Sequence, residues 1–297
     1  MRASNAWVFW LGLMACGEPG MVSREPQVLY RGQHYSPLEL EALGLQVHHL
    51  AVTPELIQHG LIAGFDSEEE AVAYSWPGPD PMQGPSLAST PCESRSSFHD
   101  RVHTFTDPSF SLAPGDGLLS LWDIAGENWH GRISALRVFN CPGTLTLYSL
   151  PDFEGKTITF SQNTMIGSLS EYILGPWHSW SNASQSIRSI SSFEFSARDT
   201  AGARRNTASL RVELRAGQII QLGTCGVAGA SGRGDTYLRL YDARGKQVAA
   251  NDDLCGAHAF LSYTVPTGGD GAHELHAGCF GDTECGGTVA YTFFASR

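Results

Sequence analysis

Two tandem copies of one pattern occupy the middle of this chain. Phe105-Thr-Asp-Pro-Ser-Phe110-Ser-Leu112 runs on to Trp129-His-Gly-Arg-Ile-Ser134, and Tyr148-Ser-Leu-Pro-Asp-Phe153-Glu-Gly155 runs on to Trp180-Ser-Asn-Ala-Ser-Gln-Ser186. Each copy alternates apolar and polar positions between turn residues, as at Leu145-Thr-Leu147 and Thr157-Ile-Thr-Phe160. Strand periodicity repeated in tandem predicts a mainly β chain with a two-unit all-β domain at its centre.

Arg2 precedes the apolar run Ala6–Ala15, which is too short to span a bilayer as a stable helix and reads as an export segment. Its end, Leu13-Met-Ala-Cys16, resembles a bacterial lipobox, whose cysteine is lipidated and becomes the mature N-terminus; the other reading is an ordinary signal peptide with an incidental cysteine. Lipidation of Cys16 would tether the body to a membrane of the bacterial cell envelope, and without it the chain would be secreted. Setting Cys16 aside leaves six of the seven cysteines, an even number that suits disulfides in an exported protein. Domain boundaries favour Cys92 with Cys141, leaving the last four to pair locally, for instance Cys225 with Cys255 and Cys279 with Cys285. No Cys-x-x-Cys occurs, so zinc is disfavoured. The net charge of −11, with basic residues scattered, excludes a nucleic-acid footprint.

Residues 17–30 read as a tether and 31–75 as a small helical segment. Ser36-Pro37, Thr53-Pro54 and Asp66-Ser67-Glu68-Glu69-Glu70 each start a short helix, and the acidic trio complements the helix dipole better than it makes a metal cluster. His48-His49 reads as surface or packing. Residues 76–91, with four prolines between Trp76 and Pro85, form a linker. The repeat domain covers 92–195, a polar stretch at 196–207 reads as a second linker, and 208–297 has many short strands, read as a β-sandwich.

The second repeat resembles a βγ-crystallin Greek key: Tyr148, Phe153 and Gly155 match its aromatic, four residues, aromatic, one residue, glycine signature. The resemblance implies a double Greek key in which glycine supplies positive φ where the first hairpin folds over and the aromatics cover that corner. The first repeat has Leu112 at the glycine position, which moves its turn to Gly115 or Gly117. Family members bind calcium through an acidic or amide pair followed by serine, but His130-Gly131 with Ser134, and Ser181-Asn182 with Ser186, supply no carboxylate. Ser134, Asn182 and Ser186 are therefore expected to make structural hydrogen bonds.

Gly234-Asp235-Thr-Tyr-Leu-Arg-Leu-Tyr-Asp242 and Val248-Ala-Ala-Asn251-Asp252-Asp253 resemble the bacterial pre-peptidase C-terminal domains. Asn251, Asp252 and Asp253 are either part of a Ca2+ site or plain turn formers. Arg233-Gly-Asp235 reads as chance, and His273-Glu-Leu-His276 falls on a strand pattern where its histidines would not share a face. No nucleophile elbow, P-loop or dinucleotide fingerprint occurs. The expectation is a non-enzymatic envelope lipoprotein acting as a surface binding or structural module toward an envelope polymer or extracellular protein. The alternatives are an inhibitor of a secreted metalloprotease, which some members of the Greek-key family are, and a calcium-binding surface protein.

Overall fold

The computed structural model describes residues 27–76, 96–99, 109–124, 126–138, 142–175 and 178–295. The export segment, Cys16, Cys92, Phe105, Cys141 and the linker beyond Trp76 lie outside the described residues.

The first unit contains β1 (Gln27–Tyr30), β2 (Gln33–Tyr35), α1 (Pro37–Ala42), β3 (His49–Val52), α2 (Pro54–Gln58), β4 (Leu61–Phe65) and α3 (Glu68–Ser75). All three helices begin where the caps predict: the side chains of Ser36, Thr53 and Ser67 accept from Glu39, Leu56 and Glu70 N–H groups, with proline opening α1 and α2. Two expectations are corrected. Gln27–Tyr30, expected in the tether, is strand β1, and the helical segment is an α/β unit, because His49–Val52 and Leu61–Phe65 pair into a sheet. Four- and five-residue apolar runs do not declare strand over helix locally, and their partners are distant in sequence.

The Greek-key region contains β5 (Ser96–His99), β6 (Ser109–Leu112), β7 (Asp116–Leu118), β8 (Ala135–Arg137), β9 (Gly143–Tyr148), β10 (Thr157–Ser161), β11 (Met165–Ile166), β12 (Ile173–Gly175), β13 (His178–Ser179) and β14 (Ser186–Arg198). One sheet runs β11-β8-β5-β6 and the other contains β10-β9-β14-β7. Each takes three strands from one repeat and one from the other: β11 joins the first repeat's sheet and β7 the second's. The two units are therefore interlocked Greek keys. Trp129 and Trp180, the residues that close the repeats, are buried with Phe98, Leu145, Leu147 and Phe160 in the core between these sheets. Fully burying such side chains contributes about 1.5–3 kcal/mol each.

The last unit contains β15 (Ala208–Leu214), β16 (Gln218–Gly223), β17 (Ser231–Arg233), β18 (Thr236–Tyr241), β19 (Gln247–Asn251), β20 (Phe260–Thr264), β21 (Gly271–Cys279) and β22 (Glu284–Ala295). A sheet ordered β15-β21-β18-β19 faces one containing β14, β22, β16 and β20, with Leu210, Leu222, Leu238, Leu240, Leu275 and Val289 in the core between them. This is the expected sandwich, but two details are corrected. Asn251 ends a strand, so the acidic loop begins one residue later. The 196–207 stretch is no linker at its start, since β14 continues to Arg198.

That strand unites the fold. Residues 186–191 of β14 pair with β9, and 191–198 pair with β22. At the other end β3 runs parallel to β10, pairing His49 with Thr157 and Val52 with Phe160. The outcome is one twelve-stranded sheet through all three units. It also explains why β9 is buried on both faces. Leu145 and Leu147 point into the Greek-key core, and α3 covers the opposite side, where Thr146 bonds Thr159 at 3.0 Å.

Candidate functional site

The first turn of α3 reaches across to the Greek-key sheet. Glu68 accepts a hydrogen bond of 2.6 Å from the Tyr148 hydroxyl and forms an ion pair with Arg188. The Arg188 guanidinium lies 5.6 Å from the Tyr148 ring centre and 5.4 Å from that of Phe153, within cation–π range. Phe153 meets Tyr148 at 5.3 Å and, edge-on, Phe294 of β22 at 5.4 Å. The motif aromatics thus do more than cover their own hairpin: they bring together α3, the Greek key and the sandwich.

Burial pushes the Tyr148 hydroxyl well above the usual tyrosine range. Burial works against the Arg188 charge, but Tyr148 and Glu68 outweigh it and hold the guanidinium above its ordinary value. Arg188 Nε is buried without a hydrogen-bond partner. Beside them, His49 bonds Thr157 Oγ1 at 3.0 Å, and burial lowers its pKa, partly offset by Glu68. Asp66 is held below the carboxylate range by hydrogen bonds from Tyr30 and Arg31.

Of these side chains, His49, Asp66, Glu68 and Arg188 line a polar groove of about 570 Å³ where the three units meet. His49, Glu68 and Glu69 come from the first unit, Arg188 and Ile190 from the Greek key, and Gln221 and Thr292 from the sandwich. Below it, Val72, Ile190 and Ala290 are buried against Trp76, Val227 and Ala228. Trp76 packs so closely on Gly229 that a Cβ there would come within 2.5 Å of the indole.

Ser134, Asn182 and Ser186 all take part in hydrogen bonds. Ser134 Oγ donates to Asn182 Oδ1 at 2.8 Å, while Gly131 N–H donates to Ser184 O and Asn182 N–H to Ile133 O. These bonds lash the two repeats' equivalent loops together. Ser186 Oγ donates to Leu150 O at 2.7 Å and accepts from Phe153 N–H at 3.1 Å, which holds the folded-over hairpin against β14. Gly155 has φ +84°, and a Cβ would sit 2.5 Å from Ser149 Oγ, so the glycine requirement is met. In the first repeat Gly115 has φ +84° and its N–H donates to Ser189 Oγ at 2.9 Å.

In the sandwich, Cys225–Cys255 and Cys279–Cys285 are disulfides. Asn251 Oδ1 accepts from Leu254 N–H at 3.2 Å, the bond of a turn former. Asp252 and Asp253 approach Asp235: burial and then their two charges raise its pKa. Among the described residues no group of three or more His, Cys, Asp or Glu side chains is placed to hold a metal ion. His273 is buried and His276 lies on the opposite face of β21. Glu68 is legible in the sequence only as a helix-start charge and Arg188 only as a polar strand position; their pairing has no sequence signal.

No protein-family model matches the chain, and no curated protein matches it. Among solved structures, it is similar to a βγ-crystallin from an archaeon (21% identity over 32% of this chain and 95% of that one, TM-score 0.24). It is also similar to the N-terminal domain of protein S (26%, 33% and 96%, TM-score 0.24) and to a βγ-crystallin domain from Clostridium beijerinckii (18%, 32% and 95%, TM-score 0.25).

Proposed function

We propose that this chain is a non-enzymatic lipoprotein of the bacterial cell envelope, anchored through Cys16, whose β body is a surface binding and structural module. The observation that carries this reading is the single sheet through all three units, closed by the Glu68–Arg188 pair and braced by two disulfides. Such a body presents a fixed surface, and the polar groove at the junction is its recessed place for a partner's hydrogen-bonding groups. The test is a pull-down with residues 21–297 against envelope polymers and secreted proteases. Retention on an envelope polymer, weakened by Glu69→Lys in the groove, is the expected result. Retention only on a protease would replace it.

That replacement, a protease inhibitor, is favoured by one feature. The Cys279–Cys285 disulfide closes a short loop carrying Phe280, which is 55% exposed and whose N–H donates to Asp235 O. An inhibitory loop needs this combination of a presented side chain and a constrained backbone. The segment around Cys92 lies outside the described residues, as do Pro176 and Trp177.

A further inference from the structure

A second groove, of about 590 Å³, lies at the folded-over hairpin of the second repeat, lined by residues of three separate segments. His48 comes from the chain leading into β3, Ser149, Leu150 and Lys156 from the hairpin joining β9 to β10, and Leu174 and His178 from β12 and β13. In a chain with 30 acidic and 19 Lys or Arg residues, every titratable side chain lining this groove is a cation or an imidazole. The acids nearest along the chain, Asp152, Glu154 and Glu171, do not line it.

The walls and the polar groups are arranged separately. Leu150, 45% exposed, and Leu174 form apolar walls. The Lys156 ammonium donates to Leu174 O at 2.7 Å, which places its charge at the end of that wall. An ammonium has three donors, so that carbonyl leaves others for a ligand. Ser149 Oγ accepts from Lys156 N–H at 2.8 Å, which leaves its own proton free to donate toward an anion. Gly155 keeps the floor low, since a Cβ there would push into Ser149 and Leu150.

We propose that this groove binds a small amphiphilic carboxylate, with the carboxylate on Lys156 and Ser149 and the aliphatic part along Leu150 and Leu174. The imidazoles of His48 and His178 border the anionic end. The site is separate from the junction groove and does not rest on the envelope role.

The experiment titrates the isotope-labelled full chain with sodium octanoate, and in parallel with 1-octanol, following backbone amides by NMR. Octanoate should shift the amides of Ser149, Gly155 and Lys156 saturably, with 1-octanol at least about tenfold weaker, since a charge-assisted hydrogen bond is lost. Leu150→Glu, at an exposed position that tolerates a polar side chain, should weaken octanoate by about tenfold or more through repulsion and a lost wall, with an unchanged melting temperature. Lys156→Gln should remove the preference for octanoate over octanol. Equal affinity for both compounds, shifts centred elsewhere, or full octanoate binding by folded Leu150→Glu would each overturn the proposal.

Discussion

Arg188 on β14 and Glu68 on α3, 120 residues apart in sequence, form an ion pair whose side chains are each about a quarter exposed, and the guanidinium rests against the same tyrosine that donates to the carboxylate. Leaving one member of a buried pair without its partner costs about 3–5 kcal/mol, and partial exposure reduces this to about 2–3 kcal/mol. Arg188→Met and Glu68→Gln should each destabilise by that amount in denaturant unfolding. The double variant should cost less than the sum, and strict additivity would mean that the two side chains are not coupled.

Gly155→Ala should destabilise by about 1–3 kcal/mol, because the new Cβ meets Ser149 and Leu150 at a positive φ. Gly245→Ala is the comparison: its φ is also positive but nothing lies within 4 Å. It should lose only the conformational part, about 1 kcal/mol. Equal losses at the two sites would show that the Greek-key corner is not tightly packed.

The caps at Ser36, Thr53 and Ser67 and the turn at Gly155 are legible in the amino-acid sequence because they are local, fixed by side chains within a few residues of where they act, whereas in the sandwich the short strands Ser231–Arg233 and Gln247–Asn251 carry no clear alternation. Non-local features are not legible. Leu61–Phe65 becomes a strand only because β1 and β3 flank it, and the polar Ser196–Arg198 stays in β14 only because Gly286, Cys285 and Glu284 pair with it. The junction groove leaves no sequence trace for the same reason: each residue carries an ordinary local role, and the groove exists only once three units meet.

Tyr148 and Tyr172 both have pKa values raised by burial, which predicts alkaline sensitivity. A group whose folded pKa lies above its unfolded value contributes stability fully present below the unfolded pKa, here about 10, and lost as pH rises toward the folded value. Melting temperature measured from pH 8 to 12 should be flat to about pH 10 and then fall. Tyr172→Phe should fall less steeply over the upper range, and identical slopes would remove the assignment.

The two sandwich disulfides enclose loops of different length, with sequence separations of 30 and 6. Chain entropy gives about 3.5 kcal/mol for the longer and about 2 kcal/mol for the shorter. Removing Cys225–Cys255 as a serine pair should therefore lower stability more than removing Cys279–Cys285. The reverse order would mean that the short loop carries native contacts beyond chain entropy.

Calcium separates the two roles open to the Asn251-Asp252-Asp253 turn. With Asn251 Oδ1 engaged by Leu254 N–H, added calcium should leave the melting temperature of the full chain unchanged. A rise that Asp252→Ala abolishes would establish a calcium site at this turn.

One sheet passes through all three units, and the 13-residue strand β14 is where that continuity can be tested most directly. Native-state hydrogen exchange should be followed at the β14 amides as denaturant is added. The continuous sheet predicts that those facing β9 and those facing β22 open with one common free energy, the global value. Two separate opening free energies, one for residues 186–190 and another for 192–198, would contradict it and make the Greek key and the sandwich independent domains.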